Sequence, residues 1–107
     1  MTHQPGDLIL IDVPFHQTGG AKIRPVVVVL DSGDSDLVII PITSQQRVTA
    51  FDLTLRDWRL EGLTVPSFAR VHKISVVSKF DMKRAIGRLS DGDLGAVRDG
   101  LRRVFSV

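Results

Sequence analysis

The stretch from Lys22 to Ser44 constrains the fold most. It reads KIRPVVVVL, then DSGDSD, then LVIIPITS. Val26 to Val29, ending in Leu30, and Val38 to Ile40, continued past Pro41 by Ile42, are short β-branched runs. Runs of this length bounded by turn residues read as buried strands. Asp31 to Asp36, with Gly33 inside it, is turn chemistry. The two runs are therefore expected to pair antiparallel, and in such a pair the start of one strand lies beside the end of the next. Arg24 enters the first strand and Thr43-Ser44 leaves the second, so Arg24 and Thr43 are expected to be neighbours. A fixed cation beside a hydroxyl at one end of a rigid sheet suits a phosphate site.

The rest of the chain builds around this pair. Leu8 to Ile11 is a buried strand ended by Asp12-Val13-Pro14. Phe15 to Ile23 (FHQTGGAKI) reads either as a loop at a functional rim or as an ordinary hairpin connection. Phe51, Leu53 and Leu55 alternate with polar residues up to Arg56, the pattern of a half-buried strand. Asp57 to Gly62 is a turn, and its Trp58 is expected to pack rather than to stack on a base.

Ser67 to Ser78 reads as one strand with Phe68, Arg70, His72 and Ile74 on one face. Arg70 and His72 then project together, as two solvated polar residues or as a second cation beside a titratable imidazole. Lys79 to Lys83 is a polar connection and Arg84 to Leu89 a last strand. Ser90 is a good N-cap, with Asp91 and Asp93 at the positive end of a helix dipole. Leu94, Val97, Leu101, Val104 and Phe105 form the apolar stripe of that helix. Gly95 and Gly100 each weaken it by roughly 1 kcal/mol relative to Ala, so packing on the sheet or on a second subunit must hold it.

At 107 residues and 43% hydrophobic, the chain is expected to form one domain, 1–107, with one core. No apolar run approaches a membrane span, and the opening MTHQPGD carries no apolar signal segment. Cysteine is absent, so neither a disulfide framework nor a thiolate metal site is possible, which fits a reducing cytoplasm. His3, His16 and His72 and the single glutamate, Glu61, lack ligand spacing, so no metal and no cofactor are expected. Residues 1–69 hold five Lys/Arg against eight Asp/Glu, whereas residues 70–107 hold nine against four, within a net charge of +2. Ten of the fourteen basic residues are arginine, the type suited to bidentate phosphate contacts. Composition alone fits a mixed solvated surface better than a polyanion-binding face.

The order GDLILIDVPF, a Gly-containing loop, KIRPVVVVL, VIIPITS and IGRLSDGDL before an amphipathic helix resembles the MazF/PemK toxins. These are the toxin halves of bacterial toxin–antitoxin pairs. The resemblance runs from Gly6 to Val104, and its most specific pieces are Arg24-Pro25 and Pro41-Ile42-Thr43-Ser44. It implies a mainly β fold with a C-terminal helix, a twisted antiparallel sheet curled into a small SH3-like barrel. It implies a homodimer that cleaves single-stranded RNA at a short motif without a metal. It also implies a MazE-like antitoxin that lays an acidic C-terminal tail across the RNA groove.

By the same resemblance Arg24 and Thr43 match the family's catalytic pair. Arg70 matches an arginine used as general acid or phosphate contact. His72 stands where aspartate is usual, and a histidine there can give or take a proton near neutrality. Lys22, Ser44, Gln45 and Gln46 are expected along the RNA, as are Lys73 and, in the first loop, His16, Gln17 and Thr18. Thr18 to Ala21 depart from the family, which often carries a His-Glu pair there. The alternative is a toxin like CcdB, which shares the fold but kills by seizing DNA gyrase and has no need of the Arg24/Thr43 pair. A third reading is a barrel module that binds peptide or nucleic acid without activity. Fold alone does not choose among them.

Overall fold

The two β-branched runs pair as the sequence requires. In the computed structural model, which describes residues 2–14, 21–46 and 49–107, β2 (Ala21–Leu30) and β3 (Asp36–Thr43) are antiparallel. Val26 lies opposite Pro41, Val27 opposite Ile40 and Val28 opposite Ile39. Their turn is held by its own side chains: Asp31 Oδ1 accepts from the Gly33 N–H at 2.9 Å and Asp34 Oδ1 from the Asp36 N–H at 3.0 Å. Gly33 sits at φ +95°, a left-handed conformation that glycine adopts without a Cβ clash. The Asp31 carboxylate is fully buried and also accepts from the His3 N–H at 2.7 Å and from Lys79 Nζ at 2.9 Å. It ties the N-terminus to this turn and to the 3-10 turn Lys79–Asp81.

β1 (Asp7–Pro14) lines the other edge of β2, in register from Leu8 opposite Val27 to Pro14 opposite Ala21. The paired strands thus reach Pro14 and Ala21, and the first connection is shorter than the stretch Phe15 to Ile23. β7 (Met82–Arg88) flanks β1. Beyond β3 lie β5 (Phe68–Arg70), β6 (Ser75–Ser78) and β4 (Asp52–Thr54). The order is β4-β5-β3-β2-β1-β7, with β6 also on β3.

Two expectations from the sequence are corrected here. Ser67 to Ser78 is not one strand. Val71 still donates its N–H to the Phe51 carbonyl in the register of the β4–β5 pair, and Lys73 then donates to the Arg70 carbonyl, each at 3.0 Å; the second bond turns the chain between β5 and β6. The break falls opposite Pro41 of β3, which has no N–H for a continuous ladder. Phe51 to Arg56 likewise narrows to the three residues of β4, although the Leu55 N–H still donates to the Ser67 carbonyl at 3.0 Å in the register of the β4–β5 pair.

The strands are apolar on both faces, and each face has its own cluster. Leu8, Val27, Ile40, Ile42, Ala69 and Val71 face α1 (Asp91–Val104), which contributes Val97 with Leu94, Leu101 and Val104 beside it. Ile9, Ile11, Val26, Val28, Leu37 and Ile39 form the second cluster on the opposite face. Ser90 caps α1 by accepting from the Asp93 N–H at 3.2 Å.

The sheet curls but stays open, with β4 and β7 at its two ends. The segment after β4 bridges them by backbone contact rather than by strand pairing. Gly62, at φ +96°, lies so close to β7 that a Cβ there would be driven into the Ile86 carbonyl, and a Cβ on Gly87 would meet the Glu61 carbonyl. No helix among the described residues is long and apolar enough to cross a membrane.

Candidate active site

Strand alternation places Lys22, Arg24 and Val26 on the same face of β2, and Ile39, Pro41 and Thr43 on the matching face of β3. The pairing of Val26 with Pro41, carried two residues further, sets Arg24 beside Thr43. Together with Ile11, Val13, Ser44, Gln45 and Ser75 these residues line a groove of 490 Å³. Its floor is the second apolar cluster, and its rim carries two exposed cations, Lys22 and Arg24. Thr43 Oγ1 accepts from the Gln45 N–H at 3.1 Å. That bond occupies an oxygen lone pair and leaves the hydroxyl proton available for donation into the groove. Arg24 and Ser44 also border a second cavity of 150 Å³, with Pro25, Leu63, Thr64 and Ser67.

The remaining expected site residues are not among those that line the groove. Gln46 follows Gln45 and is exposed. Lys73 is exposed beyond the β5 turn, outside the groove lining. His16, Gln17 and Thr18 lie outside the described residues. Arg70 and His72 do not share a strand face, because the turn after Arg70 separates them. His72 packs beside Phe51, ring centroids 5.9 Å apart, and the Arg103 guanidinium of α1 stands 5.2 Å from the same Phe51 ring. His72 Nδ1 is buried there without a hydrogen-bond partner. Arg70 instead donates from Nε to Asp52 Oδ1 at 2.9 Å. Trp58 packs against the helix-side core, as expected, with the Arg59 guanidinium 4.9 Å from its ring.

Among the described residues, carboxylate oxygens of Asp57, Glu61 and Asp93 lie within 4.8 Å of one another. None of them lines the groove. Glu61 is 1% exposed and Asp93 4%. Asp93 accepts the Arg56 and Asp57 N–H groups, one on each oxygen at 3.1 Å, and Glu61 Oε2 accepts the Ser90 N–H at 2.8 Å. Glu61 Oε1 receives no donor. Burial, then the adjacent Asp93 carboxyl, pushes the Glu61 pKa up to about 7. A proton on Glu61, donated to Asp93, completes this set of hydrogen bonds. The sequence offered one signal for it: Glu61 is the chain's single glutamate.

An open, curled antiparallel sheet, backed by a C-terminal helix and carrying a groove with two exposed cations on its other face, defines a class of small β proteins. Residues 4–105 match the family described as PemK-like, MazF-like toxins of type II toxin–antitoxin systems, and the chain belongs to that family. Solved structures share the fold at low identity. The Mycobacterium tuberculosis toxin MazF-mt6 is 19% identical, with 92% of this chain and 97% of that chain covered and a TM-score of 0.73. MazE–MazF (Form III) from Deinococcus radiodurans is 17% identical over 100% and 99%, with a TM-score of 0.79. A mycobacterial endoribonuclease in complex with its cognate antitoxin is 14% identical over 98% and 96%, with a TM-score of 0.78. A comparison with curated protein sequences gives no match.

Proposed function

We propose that this toxin is a sequence-specific endoribonuclease that cuts single-stranded RNA, mRNA above all, without a metal. The observation that carries this reading is the juxtaposition of Arg24 and Thr43 on neighbouring strands, facing one groove with Lys22, Ser44 and Gln45. In the reaction the 2′-oxygen attacks the adjacent phosphorus and the P–O5′ bond breaks. The 2′-hydroxyl proton leaves to a base and the departing 5′-oxygen takes up a proton, giving a cyclic 2′,3′-phosphate and a free 5′-hydroxyl. Arg24 is permanently charged and holds the phosphate as negative charge accumulates on it. Thr43, whose oxygen already accepts a hydrogen bond, acts as a donor to the same phosphate rather than as the base. Ser44, Gln45 and Gln46 lie along the path of the bases.

The groove's exposed cations also suit an acidic segment of an antitoxin, which would neutralise the toxin by competing with RNA for them. A second copy of the chain would cover an apolar row at the far end of the sheet, where Leu30 (51% exposed) and Val76 (64%) are both paired with Val38.

The test is cleavage of a long single-stranded RNA in EDTA, with fragment ends mapped. The wild type is expected to cut at one recurring motif, and Arg24→Ala to lose about 100- to 1000-fold in rate, the scale of one lost transition-state donor. Full activity in Arg24→Ala sinks the proposal. Intact RNA together with gyrase-dependent DNA breaks would replace it with the CcdB-like reading.

A further inference from the structure

Acidic side chains are seldom fully buried unless paired, yet the Asp52 side chain has no exposed surface and its partner Arg70 only 23%. Asp52 and Arg70 are directly opposite across β4 and β5. Asp52 Oδ1 accepts from Arg70 Nε at 2.9 Å. Asp52 Oδ2 accepts from Thr49 Oγ1 at 2.6 Å and from the Thr49 N–H at 3.3 Å. Both oxygens are committed, in different directions, so the carboxylate cannot rotate away from Arg70. Burial raises its pKa, but hydrogen bonds from Thr49 and Arg70 outweigh that and hold the pKa below the ordinary value. Only the Lys79–Asp31 pair, away from the groove, is as enclosed among the described lysine and arginine pairs; the others are looser. Lys83 with Asp12, for example, leaves the two side chains 52% and 30% exposed.

A guanidinium whose Nε–H is donated has a fixed plane and two η nitrogens left to give. Among the described residues nothing else accepts from those of Arg70. Its face is set by register. Phe68 lies opposite Thr43, and alternation puts Arg70 on the side of β5 that Phe68 occupies. That is the face of β3 on which Pro41 and Thr43 border the groove.

We infer that Asp52 is a positioning residue: it fixes the Arg70 guanidinium at the edge of the groove, with the η nitrogens directed to an RNA phosphate next to the one held at Arg24. Because the pair is internally neutral, Arg70 contributes directed hydrogen bonds rather than net charge. An arginine held in place before binding also loses less rotamer freedom when the phosphate arrives. This inference rests on the ribonuclease reading of the groove.

The experiment is a double-mutant cycle on kcat/KM for RNA cleavage in EDTA, with melting temperatures recorded for every variant. Asp52→Ala is expected to lose about 10- to 100-fold, the scale on which a misplaced catalytic contact acts, and Arg70→Ala at least as much. Asp52→Ala added to Arg70→Ala should cost nothing further in rate. Asp52→Asn keeps an acceptor for Arg70 Nε and should recover most of the activity at any melting temperature that permits folding. A purely structural role predicts the opposite: losses that multiply in the double variant and follow the melting temperature. That result, wild-type activity in Asp52→Ala, or no recovery in a folded Asp52→Asn, overturns the inference. A wild type that cuts no RNA overturns the ribonuclease reading, and the inference falls with it.

Discussion

Asp52 and Glu61 are both carboxyl groups withdrawn from water, and their pKa values move in opposite directions. Asp52, on the groove side of β4, is surrounded by donors: the Arg70 guanidinium and the hydroxyl and N–H of Thr49. Glu61, between the β7 backbone and the start of α1, meets one N–H from Ser90 and the carboxyl of Asp93. Desolvation pushes both pKa values up. Three donors reverse that push at Asp52, whereas a second carboxyl reinforces it at Glu61. Burial therefore does not decide the charge of an acidic group; its partners do. The Asp52 carboxylate, with its pKa lowered, holds the Arg70 Nε–H, and Glu61, with its pKa raised, joins the segment after β4 to the start of the helix.

The largest expected effect comes from breaking the Glu61 side of this contrast. Gly87→Ala places a Cβ against the Glu61 carbonyl. Neither backbone can give way easily, so a loss of about 3 kcal/mol or more is expected in denaturant unfolding. Alanine tolerated within a few tenths of a kcal/mol would mean that the contact between Glu61 and β7 is not rigid.

Next in size is the pH dependence. Glu61 has its folded pKa raised from 4.5 to about 7. Its contribution is fully present below about pH 4.5, declines as pH rises through 7 and is absent above. The decline should amount to about 2–3 kcal/mol. Glu61→Gln mimics the protonated form, donating to Asp93 and accepting from Ser90, and should flatten this limb while matching the wild type at pH 5. Asp52 has the opposite sign. Its pKa is lowered from 3.8, so its contribution is present above that value and lost as pH falls through the folded one. Asp52→Asn should flatten only this acid limb. Thermal melts from pH 2 to 8 separate the two, and a wild-type curve unchanged by either substitution would remove the contrast.

The smallest effect sharpens it. Ser90→Ala deletes the hydroxyl that caps α1 but leaves the backbone N–H that Glu61 accepts. About 1 kcal/mol should be lost, with the pH limb between 4.5 and 7 intact. A limb that vanished with the cap would show that Glu61 depends on the helix end rather than on Asp93.

The amino-acid sequence by itself determined the β2–β3 pair, the Arg24–Thr43 neighbourhood, the N-cap at Ser90 and the family. All of these rest on short-range signals: β-branched runs, a glycine turn, a register counted over a few residues, and motifs in fixed order. What only the tertiary structure decided depends on residues distant in the chain. The break between β5 and β6 is set by Pro41 on another strand, and it parts His72 from Arg70 although their spacing is that of one strand face. Gly100 reads as a weakness of the helix, yet a Cβ there would stand 3.2 Å from Val71 Cγ1, so its smallness lets α1 settle on the sheet. Asp52 and Glu61 look alike in the sequence as acidic residues near turns. Their charges were settled by Arg70, 18 residues away, and by Asp93 at the start of the helix, because a carboxyl group's pKa is set by the neighbours that folding brings within hydrogen-bond reach and not by those beside it in the chain.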